Sequence, residues 1–247
     1  MAHRGVSERC PENTRAAFEM AVAQQADAIE CDLQLTADGH VIVCHDPTLD
    51  RYGHAGVQIS QSTLAELQTL DVGSWFGKQF ADQRLMTLNE LLADFGSRIP
   101  LFLELKAEQL SSAQCDQFVR EVVEQACQFP KQNDVAFLAF DPAVLARLHT
   151  LAPQANLVLN TEDPQDVSVN EPISLDLLFG VDGNIDRMSR ETVQWLHDRN
   201  LVALSYTCNS ETDVLAAREC GVDAIITNDP ERTREILSEH GRSGRAS

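Results

Sequence analysis

Apolar residues along the chain fall in short runs, and between the runs lie amphipathic stretches with helical spacing. The runs at 28–35, 101–106, 135–140, 156–160, 175–180, 201–206 and 223–227 read as strands, being too short for helices and bounded by turn residues. Residues 1–5, Met-Ala-His-Arg-Gly, look like the end of one more strand. Helix starts stand between the runs. Pro11-Glu12-Asn13-Thr14 opens a helix to about Gln25, with Asn13 or a neighbour as its cap. Thr87-Leu88-Asn89-Glu90 is a capping box for a helix to about Phe95. A long helix follows over 112–128, and Asp141-Pro142 opens another to Leu151 in the expected cap-then-proline order. Ser189 caps a helix to about Arg199, Ser210 one that ends at Gly221, and Asp229-Pro230 starts the last. A short helix is expected over 163–170, and 240–247 reads as a frayed polar tail.

One run breaks this rhythm. The strand at 28–35 is followed by a second apolar run at 40–45, joined through Asp38-Gly39. Such a dipeptide favours a two-residue antiparallel hairpin. Counted outward from that turn, 37 faces 40, 35 faces 42 and 32 faces 45. Residues 46–84 then read as an insertion packed over the mouth of a site, with a helical piece at 63–70. Its Trp75 and Phe76 belong either to its own core or to the cavity wall. With the hairpin return set aside, eight strands alternate with helices, which implies a parallel sheet. Eight such units in this length imply one domain over 1–247, an α/β chain closed as a (β/α)₈ TIM barrel with a small insertion after strand two. An open doubly wound sheet is the alternative, but no glycine-rich nucleotide fingerprint follows any strand.

Composition narrows the partners. Nineteen basic against 38 acidic residues give a net charge of −19, which argues against binding nucleic acid or an anionic membrane surface. Anionic ligands are also repelled at long range, so an anion site needs local positive charge. No apolar run reaches membrane-spanning length and no signal peptide is visible, so a cytoplasmic protein without a membrane anchor is expected. The seven cysteines are scattered without CxxC spacing and read as reduced thiols. The acidic, partly apolar surface permits a homodimer.

The candidate chemistry sits at strand ends, where barrels of this kind carry their reactive groups. Glu30 and Asp32 are two apart on a strand and face the same way, as do Glu104 and Lys106. Buried carboxylates side by side are costly unless compensated. A divalent cation held by Glu30, Asp32 and Glu104 is one compensation, and oxygen ligands select a hard ion, Mg²⁺ or Ca²⁺. A salt-bridge network of the acids with Arg4 and Lys106, without metal, is the other. The expected hairpin brings His45 beside Asp32, and His3 ends the first strand. Two imidazoles, a hard cation and two fixed positive charges suit attack on a phosphate ester: one histidine takes a proton and the other gives one. Asn13 reads as a cap rather than a site residue.

In these residues the sequence resembles the glycerophosphodiester phosphodiesterase family. The matching stretches are His3-Arg4-Gly5, Pro11-Glu12-Asn13-Thr14, Glu30-Cys31-Asp32, Thr36-Ala37-Asp38-Gly39, His45-Asp46, Leu103-Glu104-Leu105-Lys106 and the segment from Gly221 to Pro230. The resemblance covers nearly the whole chain. It implies a barrel of the phospholipase-C-like phosphodiesterase type and a metal at Glu30, Asp32 and Glu104. It implies His3 and His45 as acid and base, with Arg4 and Lys106 near the phosphate. The implied reaction is hydrolysis of a glycerophosphodiester, such as glycerophosphocholine or glycerophosphoethanolamine, to glycerol 3-phosphate and an alcohol. A lysophospholipase D-like action on lysophospholipids is a second reading, with the insertion aromatics as an acyl groove. A non-catalytic binder of phosphodiesters or metal is a third. Ser205-Tyr206-Thr207-Cys208-Asn209 stands where the family usually has Trp-Thr-x-Asn, so Tyr206 is expected to make a smaller wall carrying a hydroxyl.

Overall fold

Buried strands and one-faced helices together dictate the architecture. The computed structural model describes residues 1–129, 134–165, 167 and 173–243. The strands are β1 (Ala2–His3), β2 (Ile29–Leu35), β3 (Val41–Val43), β4 (Leu101–Leu105), β5 (Val135–Ala139), β6 (Asn156–Thr161), β7 (Gly180–Asn184), β8 (Val202–Tyr206) and β9 (Ala224–Ile225). The α-helices are α1 (Arg15–Ala23), α2 (Leu64–Leu67), α3 (Leu88–Phe95), α4 (Ser112–Cys127), α5 (Pro142–Leu151), α6 (Arg190–His197), α7 (Glu211–Cys220) and α8 (Pro230–Ser243). Parallel pairing runs β1-β2-β4-β5-β6-β7-β8-β9, and β3 pairs antiparallel with β2 outside that path. The ring closes at its ends. Ala2 bridges Thr227 in parallel, the His3 amide donates to the Thr227 carbonyl at 2.9 Å, and the Thr227 amide donates to Met1 at 3.1 Å. The fold is therefore the (β/α)₈ barrel expected from the alternation.

Two apolar layers hold it. Ala136, Leu138, Val158 and Leu204 point into the barrel. The alternate residues Val135, Phe137, Leu157, Leu159 and Ala203 face the helices, where Phe18, Phe95, Phe118 and Leu145 meet them. Strands apolar on both faces are what a parallel sheet clothed in helices requires. The stretch 46–84 builds a separate small core from Leu49, Tyr52, Ile59, Leu67 and Val72 against Ile42 and Cys44. The described cysteines are all free, five of the seven being buried. No described helix is long and apolar enough to cross a membrane.

Several expectations need correction. The hairpin register is shifted by one: Leu33 pairs with Val43, and the Cys44 amide donates to Asp32 at 2.9 Å, so Asp32 lies opposite Cys44, not His45. The reason is the loop. The Thr36 amide donates to the His40 carbonyl at 2.9 Å, which leaves three loop residues, the last being Gly39 at φ +83°. That is the three-residue hairpin with a left-handed closing residue. Strand seven begins at Gly180, not 175, because Leu175–Leu177 forms a 3₁₀ turn. Its sequence Gly-Val-Asp-Gly-Asn carries one apolar side chain, so counting apolar residues places it too early. Of the two expected caps for α1, Asn13 or a neighbour, the neighbour Thr14 is the one that acts. Helix α8 extends through Ser243, beyond the expected onset of fraying, because its turns pack Ile236 into a cluster with Val214 and Ala217. Half of the helix expected over 163–170, residues 166 and 168–170, lies outside the described residues.

Candidate active site

Each functional side chain reaches the carboxyl end of the barrel by a local device. In β2, residues 30, 32 and 34 share one face, and the register sets Asp32 beside Glu104 on β4. The carboxylates of Glu30, Asp32 and Glu104 offer oxygens all within 4.8 Å of one another, and all three residues are buried. After β1 the chain turns sharply, with Arg4 at φ +56° and Gly5 at φ +79°. A side chain at Gly5 would meet Ala17 Cβ at 2.6 Å, so α1 can approach only a glycine there. The turn holds because the Arg4 amide donates to both the carbonyl (2.9 Å) and the carboxylate (3.1 Å) of Glu30.

Lys106 and Arg4 flank the acids. Lys106 Nζ lies 2.6 Å from Glu104 and 3.5 Å from Asp32, and Arg4 Nε lies 3.2 Å from Asp32. Burial works against Asp32, yet the charges of Arg4 and then Lys106 outweigh it and hold the carboxyl below its ordinary range. Burial, with Asp32 and Glu104 adding their charge, pushes Glu30 well above the usual range. Burial and then Asp32 push Glu104 up to about 7, against the pull of Lys106. Three buried acids thus face two fixed positive charges, and Arg4 is shared with Glu12. An oxygen-only trio with this charge deficit, its oxygens within 4.8 Å of one another, fits a hard divalent cation. The salt-bridge reading without metal balances the charge only by keeping a proton on one of the acids, which is the direction in which burial and neighbouring charge push Glu30 and Glu104.

The two histidines arrive by different routes. His3 Nδ1 lies 2.6 Å from Asn228 Oδ1, which makes that nitrogen the donor and leaves Nε2 free, 4.0 Å from Glu30. Asn228 is itself held, its amide donating to Asn209 Oδ1 at 2.8 Å. Burial, reinforced by the Arg4 charge, lowers His3 to about 4, so its ring is neutral near pH 7. His45 is delivered by Gln34. From β2, Gln34 Nε2 donates to the carbonyls of Cys44, His45 and Asp46 at 3.0, 2.9 and 2.7 Å. His45 Nδ1 then pairs with Asp46 at 2.7 Å. Asp46 pairs with Arg51, Arg51 with Glu12, and Glu12 with Arg4, so charged contacts tie the two histidine-bearing loops together.

These groups line a cavity of about 480 Å³, with Leu138, Phe140, Tyr206 and Ile226 as apolar wall. All the residues expected from the sequence gather here except Asp32, which stands behind the trio, its Oδ2 taking a 2.8 Å hydrogen bond from Asn13. Asn13 is thus part of the site, where it was expected to be a cap. Its φ is +56°, a region that asparagine is among the few residues to tolerate. Gln34, Glu12, Asn228, Asn160 and Asp182 were also missed. A polar glutamine at the third same-face position of an apolar strand was a readable hint. Asp182 was hidden by the misplaced strand start. Trp75 and Phe76 do not line the cavity: they stack edge to face with Tyr52 and Phe80 inside the insertion. Tyr206 does line it, as expected, and its hydroxyl donates to the Thr161 carbonyl at 3.0 Å.

The sequence model of the glycerophosphoryl diester phosphodiesterase family matches residues 3–232. A glycerophosphodiester phosphodiesterase of Bacillus subtilis (strain 168) is 29% identical over 249 residues, which covers 96% of this chain and 85% of that one. A glycerophosphodiester phosphodiesterase of Caldanaerobacter subterraneus subsp. tengcongensis is 29% identical over 247 residues and covers 98% of both chains. Among solved structures, an Oleispira antarctica phosphodiesterase in complex with its product sn-glycerol-3-phosphate superposes with a TM-score of 0.88 at 26% identity, over 96% of this chain and 95% of that one.

Proposed function

The chain belongs to the glycerophosphoryl diester phosphodiesterase family, and from that premise we propose that its cavity hydrolyses glycerophosphodiesters, such as glycerophosphocholine and glycerophosphoethanolamine, to sn-glycerol 3-phosphate and an alcohol. The observation that carries this reading is the gathering of three buried carboxylates, two cationic side chains and two imidazoles around one cavity. Glu30, Asp32 and Glu104 would hold one Mg²⁺ or Ca²⁺, which supplies Lewis-acid stabilisation of the phosphoryl oxygens.

The remaining steps belong to the protein. Arg4 and Lys106 set positive charge beside the phosphate, which a chain of net charge −19 needs locally. His3, neutral and with Nε2 free, accepts the proton of the attacking hydroxyl, either of water, which gives glycerol 3-phosphate directly, or of the neighbouring glycerol carbon, which gives a cyclic phosphate that water then opens with the two histidines exchanging roles. His45, oriented through Asp46, gives a proton to the leaving alkoxide as the phosphorus–oxygen bond breaks. Asn13 keeps Asp32 in place.

The test is release of glycerol 3-phosphate from both diesters with Mg²⁺ or Ca²⁺, with and without chelator. Release that requires the metal is expected. His3→Ala and His45→Ala are each expected to lower kcat by about 10²–10⁴-fold while the protein stays folded. Wild-type turnover in both variants would overturn the assigned roles.

A further inference from the structure

Two polar side chains in the cavity have no part in the chemistry above. Asn160 on β6 and Asp182 on β7 stand directly side by side in the sheet register. They are 3% and 2% exposed, and both line the cavity. The Oδ1 atom of each has no hydrogen-bond partner among the described residues. Neither atom has an ion-pair partner among those residues either, whereas other polar groups of the cavity are engaged: His3 with Asn228, Arg4 with Glu12 and Asp32, Lys106 with Glu104, and the Tyr206 hydroxyl with Thr161. Buried polar atoms are rarely left unpaired, and a pair of them facing a ligand cavity marks where a ligand completes the bonding.

We propose that Asn160 and Asp182 form a subsite that hydrogen-bonds the two hydroxyls of the glycerol unit, and so select glyceryl diesters over diesters without that diol. The inference rests on the phosphodiesterase reading. Neighbouring strands lie about 4.8 Å apart, so two short polar side chains at matched positions can converge on hydroxyls of adjacent carbons. Each hydroxyl both donates and accepts, as a carboxyl and a carboxamide side by side require. The alcohol half has less claim to this floor. It must leave, and the cavity opens past the exposed Glu108 and Glu162. A trimethylammonium group, moreover, has no N–H to offer an unpaired oxygen.

The experiment compares kcat and KM of wild type, Asn160→Leu, Asp182→Leu and Asp182→Asn on glycerophosphocholine, glycerophosphoethanolamine and bis(p-nitrophenyl) phosphate. In the leucine variants the ratio of kcat/KM for the glyceryl diesters to that for the nitrophenyl diester is expected to fall about tenfold or more, mainly through KM. The fall should be equal for the two head groups and smaller in Asp182→Asn. An unchanged ratio overturns the subsite, and a fall that differs between choline and ethanolamine assigns it to the leaving alcohol instead. A second measurement separates this from failure of the phosphodiesterase reading or of variant folding. Titration of the wild-type protein with sn-glycerol 3-phosphate and with n-propyl phosphate should show tighter binding of the first, and equal binding overturns the proposal whatever the activity.

Discussion

Gln34 decides where His45 stands, because one side-chain amide reaches three consecutive carbonyls at the turn out of the hairpin. Replacement by leucine keeps the volume and removes the clamp. Gln34→Leu is therefore expected to keep the fold and lose about 10- to 100-fold in kcat with little change in KM, since small displacements of a reacting group cost about that much. Steady-state kinetics beside a thermal melt check it, and wild-type kcat would show that His45 is held otherwise. His3 is fixed in the same indirect manner, through Asn228 and then Asn209. At this scale Glu30, Asp32, Glu104 and Lys106 were legible in the sequence because same-face spacing on a strand is a local property, whereas the expected pairing of His45 with Asp32 rested on a hairpin register that is shifted by one. Asn13, Asn160 and Asp182 were not, because each acts across a contact between segments distant in sequence or across strands, and Gln34 showed its face but not its partners.

At the scale of elements, the β2–β3 hairpin is the device that sets the site, and its three-residue loop rests on Gly39 at φ +83°. An added Cβ would meet the flexible end of Gln117 at 2.5 Å, so the backbone conformation carries most of the cost. Gly39→Ala is expected to destabilise by about 1–2 kcal/mol, with Gly39→Asn closer to wild type, as measured by denaturant unfolding. The segment from 71 to 84 has its own anchor. Asp71 accepts from the Ser74 hydroxyl and from the amides of Ser74 and Gly73, and these bonds lower its carboxyl to about 2. A folded-state value below the unfolded one stabilises above the ordinary aspartate range, and the stabilisation is lost as pH falls toward 2. Asp71→Asn is thus expected to speed proteolytic nicking near 71–77 at pH 7, with the difference from wild type narrowing below about pH 4. Equal nicking at pH 7 would show that the anchor contributes nothing.

At the scale of the whole molecule, a net charge of −19 surrounds a cavity where Arg4 and Lys106 stand beside the acids. A monoanionic diester meets long-range repulsion before it meets those cations. Added salt shortens the Debye length from about 30 Å at 0.01 M to about 8 Å at 0.15 M. KM for bis(p-nitrophenyl) phosphate is expected to fall severalfold across that range, while KM for zwitterionic glycerophosphocholine changes less. A rise in KM for the anion would mean that local positive charge dominates at every distance.

The barrel itself was determined by the sequence alone. Strand-sized apolar runs, alternating with capped helices, admit a closed parallel sheet and little else. The acids of β2 and β4, with Lys106, were determined with it, because period-two spacing assigns their face before any packing is known. Three things waited on the tertiary structure. The hairpin register depended on whether the turn holds two or three residues, a difference that Asp38-Gly39 alone does not resolve. The start of β7 depended on pairing with β6 and β8, since Gly180–Asn184 has too few apolar side chains to declare itself. The unpaired atoms of Asn160 and Asp182 became visible only when every neighbour's bonds were placed. In each case the deciding interaction joins parts of the chain that local pattern treats as unrelated.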